Sequence, residues 1–356
     1  MGQTHAERRA RLAALVAAAE LDALLVTRLV NVRYLTGLDS SNAALLVRAE
    51  GPALLATDGR YAGMVEAVCP ELEVEVDRMT ARALTASAGV RRLGFEAHAV
   101  TVAEHTALTA LEGAPELVPA GTLVEDLRTV KDEHELALLG HACALTDRAF
   151  EAVLPMIAPG ATEREIAIAL ERAMIDLGAE GPAFASIVAS GQNGAVPHHH
   201  PADREIARGD LVTLDFGARY GGYHADMTRT VAAGAVAQWQ RDLYDLVRKA
   251  QQAAVDAATP DAEITAVDAA ARDIIEAAGH GGDFPHAVGH GVGLEIGEAP
   301  LMGYGRTGKL RDRVPITAEP GVYLAGRGGV RIEDTLVVRP GGPELLTKTT
   351  KDLLVL

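Results

Sequence analysis

Five residues in the second half of the chain carry side chains that bind metal ions. They are Asp215 in LVTLDFG, Asp226 in YHADMTRT, His290 in HAVGHGVGLEIGE, Glu319 in PITAEPG and Glu333 in VRIED. The four carboxylates stand in strand-like apolar sequence, where they repel one another and each is costly to bury alone. A shared divalent metal ion, or a pair of ions bridged by carboxylates, neutralises such a cluster and creates a hydrolytic site. We therefore predict a metal-dependent hydrolytic centre.

The first two of these acids could face each other across a hairpin. Asp215 and Asp226 are eleven residues apart, with the glycine pair Gly221–Gly222 between them. In an antiparallel hairpin this separation can bring both side chains onto one face of the sheet. Taken alone, the pair is equally compatible with two solvated aspartates at the ends of a turn. The acids further along the chain favour the metal site.

The first third of the chain has the pattern of a separate layered domain. Short apolar runs alternate with helical stretches, which is typical of an α/β structure. The strand-like runs are 23–27, 43–48, 53–57 and 91–96, and the helical stretches include 61–68 and 103–111. The following segment, LVEDLRTVKDEHELALLGHACALTDRAFEAVL, predicts one long helix, which places a boundary near residue 125. We predict an α/β domain over 1–125 and a second domain over 126–356.

The second domain must supply the strands that carry the acids. Thr162 and Glu165 form a capping-box pattern before a strong helix, and two further helices are predicted over 238–257 and 264–278. The hairpin around Gly221–Gly222 precedes these two helices, and strand-like sequence closes the chain. Helices mixed with antiparallel hairpins indicate an α+β domain.

Composition restricts the partners and the compartment. The net charge of −16 argues against a nucleic-acid or anionic-membrane partner, because phosphate binding needs clustered cations. No segment approaches the ~20 apolar residues that a membrane span requires. The two cysteines, Cys69 and Cys143, are far apart and form no CxxC motif, which fits a reducing cytoplasm. We predict a cytoplasmic protein.

An ordered set of motifs resembles a known family. DFG, DMTRT, GHGVG, EPGVY and VRIED follow one another as in the creatinase/aminopeptidase, or "pita-bread", metallopeptidases of family M24. NVRYLTGL (31–38), ATDGRY (56–61), LRTVKDEHEL (127–136) and SGQNGAVPHHHP (190–201) resemble bacterial Xaa-Pro dipeptidases (prolidases) and Xaa-Pro aminopeptidases. The resemblance covers the whole chain. It implies a creatinase-like α/β amino-terminal domain, a pita-bread α+β catalytic domain and a homodimer.

The resemblance also assigns roles to the five candidate ligands. Asp215 matches a ligand of one metal ion, while His290 and Glu319 match ligands of the other. Asp226 and Glu333 match carboxylates that bridge both ions, and Glu319 also matches the proton shuttle. Two divalent ions per chain are implied, manganese foremost, with cobalt, zinc and iron as alternatives. The implied reaction is hydrolysis of the Xaa-Pro bond in short peptides by a metal-bridging hydroxide.

Four further residues receive roles in the same way. His198 matches a histidine that contacts the substrate, and His286 matches another found in aminopeptidase P-like members. Arg331 and Tyr223 resemble residues that support the acids. These assignments predict a compact site around the metal ions, with a short proline-containing peptide as the substrate.

One position departs from the family pattern. Relatives place a histidine beside the glutamate after GHGVGLE, where this chain has Gly297 followed by Glu298. Loss of a hydrogen-bond donor aimed at transition-state charge commonly costs about 10²–10³ in rate. Either His286 or His198 compensates, or the chain is a weakly active or inactive paralogue. A third alternative is a hydrolase or lyase on the same fold that acts on a small non-peptide molecule.

Overall fold

The structure is a computed structural model that describes residues 2–303 and 305–356. The chain divides into two compact units, Met1–Arg128 and Thr129–Leu356. None of the helices in the described part of the chain combines the length and apolar character needed to cross a membrane.

The first unit contains a six-stranded mixed sheet with helices between its strands. The strands are β1 Ala23–Val26, β2 Ala43–Arg48, β3 Leu54–Thr57, β4 Glu73–Val76, β5 Arg92–Phe95 and β6 Glu116–Pro119, in the order β4-β3-β2-β1-β5-β6. The helices are α1 Gly2–Ala18, α2 Leu29–Thr36, α3 Ala62–Val68, α4 Thr80–Ser87, α5 Val102–Thr109 and α6 Leu123–Thr129. Strand β1 pairs antiparallel with β2 and parallel with β5, so the sheet is mixed. The alternation of strands and helices read from the sequence is present.

The predicted long helix at the boundary is in fact two helices. Helix α6 ends at Thr129, and α7 begins at Glu133. The Asp132 carboxylate accepts a hydrogen bond from the backbone N–H of Glu135 (2.9 Å), and the Glu135 carboxylate accepts one from the N–H of Asp132 (2.9 Å). This reciprocal capping box begins a new helix. The sequence DEHE (132–135) contains this capping box, but the apolar periodicity continues across it and therefore predicted a single helix.

The second unit places helices on strands that are mostly antiparallel. Its helices are α7 Glu133–Val153, α8 Glu163–Asp176, α9 Gln238–Ala257 and α10 Ile264–Ala277. The strands up to the hairpin are β7 Gly181–Pro182, β8 Ile187–Ser190, β9 Leu211–Phe216, β10 Ala218–Tyr220, β11 Tyr223–His224 and β12 Met227–Ala232. The later strands are β13 Gly289–Gly291, β14 Glu298–Met302, β15 Pro315–Ala318, β16 Gly321–Leu324, β17 Gly328–Arg331, β18 Asp334–Val337 and β19 Glu344–Leu345.

Two sheets of this unit carry the predicted site. One has the order β12-β9-β8 and the other β14-β13-β15-β18-β19. Apolar residues of α7 and α8 pack against the first sheet, and those of α9 and α10 belong to the core that contains β15 and β18. The predicted hairpin is confirmed as the antiparallel pair β9–β12, with the short strands β10 and β11 at its tip.

Candidate metal centre

The five candidate ligands come from both sheets and the turns beside them. Asp215 lies on β9 and His290 on β13, whereas the other three stand next to strand ends. Asp215 pairs in register with Thr228, so Asp226 lies two residues before its partner on the neighbouring strand. All five line a single cavity of about 660 Å³. The fold therefore brings together residues that span 118 positions of sequence, from 215 to 333.

His290 lies at the centre of the acidic cluster. Its Nε2 atom is 3.6 Å from Asp226 Oδ2 and 3.5 Å from Glu319 Oε1. Ligand atoms of Asp226, His290 and Glu333 all lie within 4.8 Å of one another. A backbone carbonyl, that of Gly291, accepts a hydrogen bond from His290 Nδ1 (3.0 Å), which leaves the Nε2 lone pair directed at the acids. This geometry can hold a metal ion.

Two carboxylate oxygens of the cluster lack protein partners. Among the described residues, buried Asp215 Oδ1 and Glu333 Oε1 accept no hydrogen bond. The second oxygen of each carboxylate does accept a hydrogen bond. Asp215 Oδ2 accepts one from Arg331 (2.6 Å), and Glu333 Oε2 accepts one from Thr228 Oγ1 (2.7 Å). A buried carboxylate oxygen without a donor is unfavourable unless a cation satisfies it. The unsatisfied oxygens therefore fit a metal site.

The pKa values of the acids in the cluster also indicate that it needs a positive charge. Burial, followed by the charges of Glu333 and Asp215, raises the pKa of Asp226 well above its ordinary value. Burial and the charges of Glu319 and Asp215 raise the pKa of Glu333 in the same direction. For Glu319, burial and then Asp215 raise the pKa to about 8, although the Arg331 cation opposes this. A bound divalent cation would reverse this mutual repulsion.

Arg331 is the cation that orders one side of the cluster. Its guanidinium donates to Asp215 Oδ2 (2.6 Å), Thr228 Oγ1 (3.1 Å) and the Tyr323 hydroxyl (2.9 Å). Burial lowers the pKa of Arg331, but the surrounding Tyr323 and carboxylates raise it well above its ordinary value. The arginine is therefore charged and holds Asp215 in one orientation.

Tyr323 connects this arginine to His286. The Tyr323 hydroxyl donates to His286 Nε2 (2.8 Å), and His286 Nδ1 donates to the carbonyl of Ala287 (2.8 Å). Burial, together with the cation of Arg331, lowers the pKa of His286 to about 4. His286 is thus neutral, with both ring nitrogens engaged by protein groups. No sequence pattern assigned a role to Tyr323, whose only signal was its place in the EPGVY motif.

A buried glutamate holds the loop that carries three consecutive histidines. His198, His199 and His200 all line the cavity. The middle one, His199, donates from Nε2 to Glu163 Oε2 (2.7 Å), and the side chain of Glu163 is completely buried. Although burial raises the pKa of Glu163, hydrogen bonds from Ser190 and His199 lower it below its ordinary value. His198 and His200 take part in no hydrogen bond between described residues.

Comparison with known proteins places this geometry in a family. The sequence model of "Metallopeptidase family M24" matches residues 137–340. The chain belongs to metallopeptidase family M24. The "Creatinase/Prolidase N-terminal domain" matches residues 8–130 of this M24 member. The predicted fold class, an α/β creatinase-like domain with an α+β pita-bread domain, is thereby confirmed.

Relatives resemble this M24 chain over nearly its whole length. It is 37% identical over 341 residues to "Uncharacterized peptidase YqhT" of Bacillus subtilis, covering 94% of this chain and 96% of that one. It is 35% identical over 335 residues to "Xaa-Pro dipeptidase" of Pyrococcus horikoshii, covering 94% and 95%. The solved structure of "Xaa-Pro dipeptidase from Bacillus anthracis" superposes with a TM-score of 0.95 at 35% identity, covering 99% and 100%.

Two residues that the sequence singled out in this M24 chain, Tyr223 and Gly297, have neighbours that bear on their roles. The hydroxyl of Tyr223 donates to Glu135 on α7 (2.8 Å), and its support of the acids stays a prediction. Gly297 lines the cavity, and a Cβ atom built on it would find no neighbouring atom within 4 Å. The glycine therefore leaves open space where the family pattern predicted a histidine.

Proposed function

We propose that this M24 metallopeptidase hydrolyses the Xaa-Pro bond of short peptides with two divalent metal ions. The observation that carries the proposal is the cluster of four carboxylates and His290, in which Asp226 and Glu333 are buried. Its unsatisfied oxygens and the raised pKa values of its acids indicate that it needs cations. Asp215, Asp226, His290, Glu319 and Glu333 would hold the ions. Full-length similarity to proteins named Xaa-Pro dipeptidase supports the substrate class.

Each protein group then has a part in the reaction. Divalent ions held by these residues would supply a water molecule of lowered pKa and a Lewis acid for the scissile carbonyl. Glu319, as the carboxylate, would accept a proton from that water molecule and pass it to the leaving nitrogen. That transfer matters for proline, because its amide nitrogen carries no hydrogen of its own. Arg331 keeps Asp215 in position throughout.

The histidines have different parts in this proposal. His198 lines the cavity with no hydrogen-bond partner among the described residues, so its imidazole is available to the substrate. His286 was also predicted to contact substrate or stabilise the oxyanion, and that role stays a prediction. Both of its ring nitrogens are hydrogen-bonded, one to Tyr323 and the other to Ala287, so His286 would have to give up one of these hydrogen bonds to contact a peptide.

Metal analysis and peptide assays test the proposal. Purified protein should contain about two divalent ions per chain, as dinuclear hydrolytic sites do. Assays with Mn²⁺, Co²⁺, Zn²⁺ and Fe²⁺ identify the preferred metal, for which we propose manganese. Ala-Pro and Ala-Pro-Ala distinguish a dipeptidase from an aminopeptidase. Protein that binds no metal, or that cleaves neither peptide with any of these ions, would overturn the proposal.

The alternative of a non-peptide hydrolase, a lyase or an inactive paralogue rested on Gly297. It is not favoured, because dipeptidase similarity covers nearly the whole chain and the candidate ligands are together in one cavity. We further propose that the protein is a cytoplasmic homodimer. Light scattering on the purified protein and localisation of the tagged full chain test these two properties.

A further inference from the structure

The glycines around His290 differ in whether the structure requires them. A Cβ on Gly289 would lie 2.2 Å from the carbonyl oxygen of Thr317, and one on Gly291 would lie 2.2 Å from that of Ala299. Neighbouring backbone therefore excludes any side chain at these two positions. Gly297 meets no such neighbour, and its φ angle lies outside the left-handed region. Neither packing nor backbone conformation requires glycine at 297.

Gly297 is exposed and belongs to the lining of the cavity. Gly297 directly precedes β14, which pairs with β13 in a register that places Glu298 opposite Gly291 and Leu301 opposite His290. Glu298 is anchored by the Lys131 ammonium at 2.8 Å, and both side chains are almost fully buried. The open space consequently lies about one strand spacing from the strand that carries His290. A substrate bond held at the acidic cluster would have this space at its side.

Apolar side chains are among those that line this cavity. Ile296 and Leu301 flank the space along the chain, and Phe184 and Ile187 line the same cavity. Leu301 is 41% exposed, so it presents apolar surface there. Water in such a space is released favourably when an apolar group enters.

We propose that the space left by Gly297 receives the apolar side chain of the substrate residue Xaa, which makes position 297 a determinant of specificity. This inference rests on the proposed function. In an Xaa-Pro dipeptide the proline is constant, so Xaa is the residue whose side chain varies and can make different use of the additional room. The site accordingly selects Xaa-Pro peptides whose first residue is large and apolar.

Filling the space tests the inference. We expect kcat/KM of the wild type to rise from Ala-Pro through Leu-Pro to Phe-Pro. In Gly297→Val the ratio of kcat/KM for Phe-Pro to that for Ala-Pro should fall by about tenfold or more, since a pocket discriminates by about 10–200-fold per methylene. Gly297→Ala should produce a smaller fall in the same ratio and serves if the valine variant is poorly folded.

Gly341→Val is the matched control, because Gly341 also has open space around its Cβ and an unrestricted φ but lies exposed outside the cavity. It should leave the ratio unchanged, and metal content should match the wild type in every variant. If the wild type is active on Ala-Pro but has the same Phe-Pro to Ala-Pro ratio of kcat/KM as Gly297→Val, the inference about position 297 is wrong and the proposed function is unaffected. A wild type inactive on all Xaa-Pro peptides would overturn the proposed function instead.

Discussion

At the residue scale, two neighbouring buried carboxyl groups have pKa values that are shifted in opposite directions. Glu333 and Asp334 are both buried, yet their environments differ. Burial and negative neighbours raise the pKa of Glu333 well above its ordinary value, whereas Arg229 and Lys351 overcome burial and lower the pKa of Asp334. Asp334 is therefore neutralised by the protein, and the acids of the cluster depend on something else for neutralisation.

Replacing one cluster acid should stabilise the metal-free protein. At pH 9, Asp226→Asn removes a charge that burial and Glu333 disfavour, so we expect a higher melting temperature in the presence of a chelator. The same variant should bind less metal and lose about 10²-fold or more in kcat. Asp334→Asn is the control and should destabilise by about 3–5 kcal/mol, because it leaves Arg229 buried and unpaired. Equal destabilisation by both variants would show that the cluster is not repulsive.

Gly297→His tests whether a donor missing at this position limits the rate. A Cβ at position 297 meets no neighbouring atom within 4 Å, so the backbone there tolerates a side chain. With the small substrate Ala-Pro we expect kcat to rise by about tenfold, a part of the 10²–10³ that one such donor supplies. With Phe-Pro the imidazole would occupy the space of the side chain, so kcat/KM should fall. A rise with both peptides would contradict the assignment of the space to Xaa.

At the element scale, the loop before β9 depends on the first residue of α8. Glu163 accepts hydrogen bonds from the Ser190 backbone and hydroxyl (both 2.7 Å), from Asn193 (3.0 Å) and from His199 (2.7 Å). One buried carboxylate thus holds the segment on which His198 and His200 reach the cavity. Thr162 and Glu165, on either side of it, form the predicted capping box, whereas no sequence pattern pointed to Glu163, which organises a wall of the site.

Removing the contact to Glu163 should therefore impair catalysis more than stability. We expect His199→Leu to lower kcat/KM for Ala-Pro by up to about 10²-fold, the cost of misplacing a positioning group by about 1 Å. His199→Gln keeps a donor and should lose much less. His280→Gln is the control, because His280 forms an equally short pair with Asp283 (2.8 Å) but does not line the cavity. If His199→Leu retained wild-type kcat/KM, the pair would not position the loop.

At the scale of the whole molecule, the candidate site belongs entirely to the unit Thr129–Leu356. That unit contains two apolar cores, one under α7 and α8 and one under α9 and α10. The acids stand on, or directly beside, strands of the sheets that these cores support. Burial of the cluster is therefore coupled to folding of the unit, and the charges of the site influence global stability.

The metal-free protein should lose stability as pH rises. The folded-state pKa values of Asp226, Glu319 and Glu333 are raised, so the folded chain binds more protons than the unfolded chain. The resulting stability is complete below the ordinary pKa of about 4 and is lost as pH rises through the folded values, which for Glu319 is about 8. We expect the melting temperature with chelator to fall between about pH 5 and pH 9. Added Mn²⁺ should abolish the fall, and a flat profile with chelator would contradict the prediction.

The sequence by itself determined the chemistry available to the site and several local structures. The Asp215, Asp226, His290, Glu319 and Glu333 side chains stand in distinctive local motifs, and the Thr162–Glu165 capping box and the β9–β12 hairpin follow from short-range patterns. Such features need only neighbouring residues, because capping and strand pairing across a turn are local interactions.

Only the tertiary structure decided which side chains meet across long separations. Tyr323 contacts His286 and Arg331, His199 contacts Glu163, and Tyr223 contacts Glu135. The meaning of Gly297 was decided in the same way. Its sequence neighbours could not show whether the position is crowded or open, because the atoms that would crowd it come from distant segments. The packed structure leaves that space empty of protein atoms.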